Sequence, residues 1–405
     1  MQYRPTRRDL GRGALAALLA APALPGRARA QAQPVRLGFN GDLAASPSAQ
    51  SGRAAVTGIE AAIEDVNREG GVLGRPLALV IRDDLSQPPK SIQNMSDLID
   101  NEKVVAVLGP TNSGNALAWR HIPNQKRIPV MGCIGSATDI TKPMREGAEN
   151  YMFRVGSVDR TQVVTIMGYA KKNPRTGRIG FLTETTGYGQ GGLKDLQEVA
   201  AAQGLSPVAS EKFNVNDTDM TSQLAKLRAA GVETALVWAQ GTPIGQIMRS
   251  MEKIDYFPTV LTSWAADNLS FINAAGPALA EKPIFLRTVS EERTPFQQAF
   301  FDRIRPRLDA DSAFSFAVHG YDGTMLLARA IQQAGRTDGP AVREALEDLQ
   351  GTLRGYAKTY DKPFSKTERE ALTAADQRWT CWRGGKLAAY SDAIVGSLRP
   401  EDFKG

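Results

Sequence analysis

Short apolar runs alternate with amphipathic ones along most of this chain. Residues 35–39, 77–81, 104–108 and 128–131 are four or five positions long and rich in Val, Leu, Ile and Met, the pattern of buried strands. Between them, residues 52–68 put Val56, Ile59, Ala62, Ile63 and Val66 on one helical face and stop at Gly70-Gly71, and residues 91–99 form a second helix. The pattern then restarts. Strands are predicted at 178–183, 206–211, 235–238, 259–262 and 283–286, with helices at 191–202, 221–230 and 243–254. The remainder is helical over 295–308, 314–333 and 339–349, then closes with a β pair, 378–382 and 386–389, turning at Gly384-Gly385. A βα series used twice predicts parallel α/β sheets in two similar lobes, and 405 residues exceed what one core covers. In open sheets of this kind ligands sit outside the carboxyl ends of the strands, so the loops after strands are where function is expected.

The first thirty residues fall outside that pattern. Thr6-Arg7-Arg8-Asp9-Leu10 precedes an apolar run from Gly13 to Leu24, then Pro25 and Ala28-Arg29-Ala30. Paired arginines, a short apolar core and an A-x-A site are the features of a twin-arginine secretory signal. At about 12 residues the core is shorter than the roughly 20 that cross a bilayer. No Cys follows the run, so a soluble periplasmic protein starting near Gln31, without a lipid anchor, is expected. Six of the 49 basic residues and one of the 43 acidic lie in residues 1–30, leaving 43 against 42. The net charge of +6 therefore belongs mostly to this segment and gives no reason to expect a nucleic-acid partner. Cys133 and Cys381 are far apart, and an oxidising compartment permits but does not require a disulfide. There is no metal-spaced Cys or His pair, no G-x-S-x-G and no H-E-x-x-H. Asp83-Asp84 reads as a strand-end turn, and His121 and His319 as ordinary helix-surface or core residues.

Several segments in register carry a resemblance. They are Thr57-Gly58-Ile59-Glu60, Asn67 to Gly74, Asp83-Asp84, Gly109-Pro110-Thr111-Asn112-Ser113, Phe153-Arg154 with Asp159-Arg160-Thr161-Gln162, Tyr188-Gly189, Asp219-Met220-Thr221 and Gly245-Gln246-Ile247. Through them residues 35–382 resemble the branched-chain amino-acid binding proteins of ABC transporters, a type I periplasmic binding-protein family. The resemblance implies an α/β fold of two Rossmann-like lobes with parallel-type central sheets, joined by three hinge crossings near Val155, Leu286 and Thr359. Lobe I would be residues 31–155 plus 287–358, and lobe II residues 156–286 plus 359–405. It also implies no enzyme activity and no cofactor or metal. A small molecule would be captured in the cleft and passed, by a monomer, to an inner-membrane ABC permease.

Family positions carried across give the expected ligand site. In the first lobe, hydroxyls and backbone N–H groups that hold a carboxylate fall on Asn112, Ser113, Gly135 and Ser136. In the second lobe Tyr188 lines the cleft, and Asp159 is expected to be structural. Three positions depart from the family. Its ammonium-binding acid falls on Trp264, and two of its aromatic positions fall on Gln240 and Ser51. An indole attracts a cation less strongly than a buried carboxylate does. A small carboxylate without the ammonium, with a ring to stack on Trp264, fits this set better; Asp267 or Glu184 would restore the charge only if a loop shifts.

Two other readings stay open. The same fold serves as the ligand-binding subunit of sensory systems. Gly187-Tyr188-Gly189-Gln190-Gly191-Gly192 satisfies G-x-G-x-x-G between a strand and a helix, with Glu211 ending the next strand, as in a dinucleotide-dependent oxidoreductase.

Overall fold

The computed structural model describes residues 33–173 and 178–403; the predicted signal over residues 1–30 lies outside them. The first lobe is built on five parallel strands, β1 (Val35–Gly41), β2 (Leu77–Asp83), β3 (Ala106–Leu108), β4 (Val130–Gly132) and β5 (Met152–Arg154), in the order β2-β1-β3-β4-β5. Its helices are α1 (Ala49–Arg68), α2 (Pro88–Asp100), α3 (Ser113–Trp119) and α4 (His121–Lys126). The second lobe holds β6 (Ile179–Glu184), β7 (Ala209–Phe213), β8 (Thr234–Trp238) and β9 (Thr259–Thr262), parallel in the order β7-β6-β8-β9. Around them lie α5 (Asp159–Lys172), α6 (Gly187–Ala202), α7 (Thr221–Ala229), α8 (Gly241–Lys253), α9 (Leu269–Ala275) and α10 (Pro277–Ala280). In each sheet the winding reverses beside the first strand, β1 against β3 and β6 against β8. That switch leaves a crevice at the carboxyl ends.

After β10 (Phe285–Arg287) the chain returns to the first lobe as α11 (Pro295–Ile304), α12 (Phe314–Ala334), α13 (Gly339–Glu347) and the hairpin β11 (Thr352–Arg354) with β12 (Thr359–Asp361). Helix α12 lies directly on α1. A Cβ on Gly58 would stand 1.8 Å from the Ala317 carbonyl oxygen, and one on Gly320 2.2 Å from that of Ala55. The two glycines thus let the backbones touch, and Phe316 is carried to the cleft. The predicted face of α1 is confirmed for Ile59, Ala62, Ile63 and Val66, all buried. The helix starts three residues earlier than its apolar periodicity indicates, because Gln50 and Ser51 are buried against the other lobe rather than in the core.

The third crossing is displaced from the expected position near Thr359. Tyr360, Phe364, Ala371 and Leu372 are buried in the first-lobe core with Phe153, so the chain stays there through residue 372. It then joins the second lobe as β13 (Arg378–Arg383) and β14 (Lys386–Ala389), paired through Gly384 and Gly385 at φ 54° and 75°, followed by α14 (Ala393–Ser397) on α5. A two-residue turn with both φ positive suits glycine and matches the strand twist. The short strands β11 and β12 gave no alternation, and one buried Tyr360 does not outweigh their exposed polar flanks. Both cysteines are buried free thiols. Among the described residues no helix is long and apolar enough to cross a membrane.

Candidate functional site

The eight residues singled out above, Ser51, Asn112, Ser113, Gly135, Ser136, Tyr188, Gln240 and Trp264, all stand on the wall of one small cavity of about 50 Å³ between the lobes. They arrive on the loops that follow β1, β3, β4, β6, β8 and β9, or on the first turns of the helices behind them. Sequence reasoning missed Ser48, Ile134, Gly241, Ala265, Asn268 and Phe316 as wall residues, and treated Thr111 only as part of a motif. Asn268 was visible as an alignment landmark. Phe316 is one apolar position in a long amphipathic helix and carried no signal of its own.

On the first-lobe side the hydroxyls dominate. Ser113 Oγ accepts from the backbone N–H groups of Ser136 and Ala137, each at 3.1 Å. This corrects the expectation for the Ser136 N–H, which does not face a ligand carboxylate. It is spent on Ser113, and the neighbouring Thr111 hydroxyl donates to the Asp42 carbonyl at 3.1 Å. Asn112 precedes α3 without capping it; its amide donates to Ser86 Oγ at 2.7 Å. A Cβ on Gly135 would lie 2.7 Å from Pro110 Cγ, so glycine lets this loop pack under the strand-end turn.

The second lobe is already tied to the first. Ser48 Oγ donates to Gln240 Oε1 at 2.9 Å, Asn268 Nδ2 to Ser51 Oγ at 3.0 Å, and Ser270 Oγ to the Pro47 carbonyl at 3.0 Å. This is a closed arrangement, and a cavity of about 50 Å³ is room for one or two waters. Tyr188 donates its hydroxyl to Ser263 Oγ at 2.6 Å. Trp264 both lines the cavity and packs into the first-lobe core, 4% exposed, with ring centroids 5.1 Å from Phe316 and 5.5 Å from His319.

Not one of the fifteen wall residues carries a charge. Three buried carboxylates stand behind the wall, and two of them, Glu184 and Asp267, are held by other residues. Glu184 accepts from the Gln240 backbone at 2.8 Å and side chain at 3.2 Å and from the Thr186 hydroxyl. Burial raises its pKa above the usual carboxylate range. Asp267 pairs with Arg287 at 2.6 Å and accepts from Ser315 Oγ at 2.6 Å; burial holds its carboxyl at about 6. Neither is free to meet an ammonium in the cleft, which closes the rescue that the sequence left open. Asp159, behind Ser136 and Trp238, is pushed by burial up to about 7.

Two other clusters have structural explanations. Carboxylate oxygens of Asp42, Asp83 and Asp84 lie within 4.8 Å of one another. Asp42 accepts from the backbone N–H groups of Ala44, Ala45 and Ser46, Asp83 from Leu43 and Leu85, and Asp84 from Ser86, Ser91 Oγ and Asn115 Nδ2. They brace the loops after β1 and β2. The glycines of the dinucleotide-like motif are filled by packing: a Cβ on Gly187 would be 2.8 Å from Gly114 Cα, on Gly189 2.0 Å from the Glu184 carbonyl, and on Gly192 2.0 Å from the Trp238 indole. No room for a pyrophosphate remains over that turn.

Strand-end loops of two doubly wound lobes, meeting around an uncharged cleft and tied across it by hydrogen bonds, define a two-lobed binding protein. Residues 34–373 match the periplasmic binding protein family, and the chain belongs to it, with the fold of the type I group; it is a family of substrate-binding proteins rather than enzymes. It is 25% identical over 368 residues to a Leu/Ile/Val-binding protein homologue of Brucella abortus, covering 86% of this chain and 90% of the relative. Its fold is similar to the LivJ substrate-binding protein of Streptococcus pneumoniae in complex with isoleucine (TM-score 0.75, 21% identity, 88% and 98% covered). It is also similar to a solute-binding protein of an R. palustris ABC transporter in complex with 4-hydroxybenzoate (TM-score 0.73, 17% identity, 89% and 96% covered).

Proposed function

We propose that this protein is exported to the periplasm and there captures a small organic carboxylate lacking a free ammonium. It then delivers that ligand, as a monomer, to an ABC permease. The observation that carries the ligand class is the uncharged wall. A buried ammonium without a carboxylate partner costs several kcal/mol, and Glu184 and Asp267 are bound elsewhere. The hydroxyls of Ser113 and Ser136 are suited to a carboxylate, while Tyr188, Trp264 and Phe316 supply an aromatic surface. The fold itself does not decide the ligand, since one neighbour holds isoleucine and another 4-hydroxybenzoate. The closed cavity, at about 50 Å³, is too small for either, so the lobes must part about the hinge to admit a ligand.

The test is a thermal-shift screen on protein stripped of ligand by unfolding and refolding. Amino acids are paired with their deaminated acids, amides and aromatic acids. Native-state binding stabilises by RT ln(1 + [L]/Kd), so micromolar ligands at millimolar concentration register. Stabilisation by acids lacking the amino group is expected; stabilisation by leucine or isoleucine in preference to them overturns the ligand class.

A further inference from the structure

We infer that the buried Arg154 and the partly exposed Glu370 form a clamp that orients the Gly135–Ala137 loop and thereby commits the Ser113 hydroxyl to donate into the cleft. The consequence for ligand choice rests on the carboxylate reading above.

Arg154 closes β5 and is fully buried, yet none of its atoms reaches the cavity wall. All five of its N–H hydrogens have acceptors. Nε donates to Glu370 Oε2 at 2.8 Å and Nη2 to Glu370 Oε1 at 2.8 Å, a bidentate pair. Nη2 also donates to Thr141 Oγ1 at 3.0 Å, and Nη1 to the carbonyls of Gly135 at 3.0 Å and Ala137 at 3.1 Å. Glu370 is brought there by the returning chain, which lies along β5: Arg154 N donates to the Arg369 carbonyl and Ala371 N to that of Arg154, each at 2.9 Å.

A trans peptide points its C=O and N–H in opposite directions. Holding the Gly135 carbonyl on Arg154 therefore turns the Ser136 N–H the other way, onto Ser113 Oγ. The next peptide is held likewise, its Ser136 carbonyl accepting from Asp159 N at 2.8 Å while the Ala137 N–H meets Ser113 Oγ. A serine hydroxyl has two acceptor sites and one hydrogen. Both acceptor sites are filled, so Ser113 has only a donor left for the cleft. The group it meets must be an acceptor, such as a carboxylate oxygen, and not an amide NH₂. Arg154 and Glu370 are thus positioning residues that set the polarity of the site without touching what it binds.

Glu370→Gln tests this in two readouts on the purified protein. The first is native-state amide hydrogen exchange without ligand. Exchange at Ser136 and Ala137 should accelerate at least tenfold while Leu37 and Phe39 in β1 keep their rates; acceleration in parallel with β1 would mean general destabilisation and overturns the clamp. The second is calorimetric titration of 4-hydroxybenzoate against 4-hydroxybenzamide. The acid-over-amide preference should fall about tenfold in the variant, and by less than twofold when Ser113→Ala is already present. Equal losses in both backgrounds overturn the route through Ser113. If the exchange result holds while neither compound binds the unaltered protein, the clamp stands and the carboxylate reading is what fails. Glu370→Asp, which keeps the charge and shortens the reach, carries the same expectations should Glu370→Gln not fold.

Discussion

Replacing Gly187 by alanine should act as a wedge in the cleft while sparing the lobe that carries it. Gly187 opens α6 with ordinary helical backbone, so a methyl group there is tolerated locally and favours the helix by at most about 1 kcal/mol. Across the cleft it faces the first turn of α3. The new Cβ would stand 2.8 Å from Gly114 Cα, about 0.6 Å short of ordinary contact, and both partners are backbone that cannot rotate away. Forcing a methyl into such a contact costs about 1–3 kcal/mol. Because only the closed form contains the contact, that cost falls on ligand binding, about 5- to 150-fold in Kd. The reciprocal change is the control. A Cβ on Gly114 would lie 3.7 Å from the Gly187 backbone, ordinary contact, so Gly114→Ala should alter Kd by less than about twofold. The assay is calorimetric titration of both variants with a carboxylate that stabilises the parent protein, alongside ligand-free melting curves. Equal affinities for all three proteins would refute the reasoning. So would a large loss of melting temperature in ligand-free Gly187→Ala, since it would mean the lobes are pressed together without ligand.

Other outcomes follow from the same geometry. Ser136→Ala should weaken carboxylate binding by about 1.5 kcal/mol, roughly tenfold, the worth of a hydrogen bond to a charge; unchanged affinity by titration removes Ser136 from the site. Trp264→Ala should cost about 3 kcal/mol in urea unfolding because its ring fills core against Phe316 and His319, whereas Trp264→Phe should cost less than half as much; equal losses would contradict a packing role. Asp159, near Arg154 and Asp195, has its carboxyl raised by burial to about 7, above its unfolded value, so its contribution to stability is greatest in acid and declines as pH rises toward 7. Asp159→Asn should therefore gain stability over the parent by about 2–3 kcal/mol more at pH 8 than at pH 5, read from urea curves; a pH-independent difference would contradict the burial argument. Burial raises the Cys133 thiol to about 12 and also raises that of Cys381, so an aromatic disulfide reagent should titrate neither in the native protein and two thiols after guanidinium unfolding; one or no thiol on unfolding would contradict the free state.

What could be read without the structure was whatever is local or periodic. Buried strands announce themselves by runs of Val, Ile and Leu, so the twofold βα series and the two lobes were legible, and with them the strand-end loops. All eight expected residues line one cavity because a loop after a parallel strand has only one end of the sheet to occupy. The absence of an acid at position 264 was equally plain. Tertiary structure decided what depends on distant partners. Whether Glu184 and Asp267 face the cleft depends on Gln240, Arg287 and Ser315, and no spacing encodes those pairings. The third crossing moved past Leu372 because Phe364 finds its place against Phe153, a contact between segments more than two hundred positions apart. Arg154 could be recognised as part of a motif, but its task appears only when Glu370 returns beside it. Periodicity records which face of an element is buried; it does not record against what, and the polarity of this cleft is set by that second fact.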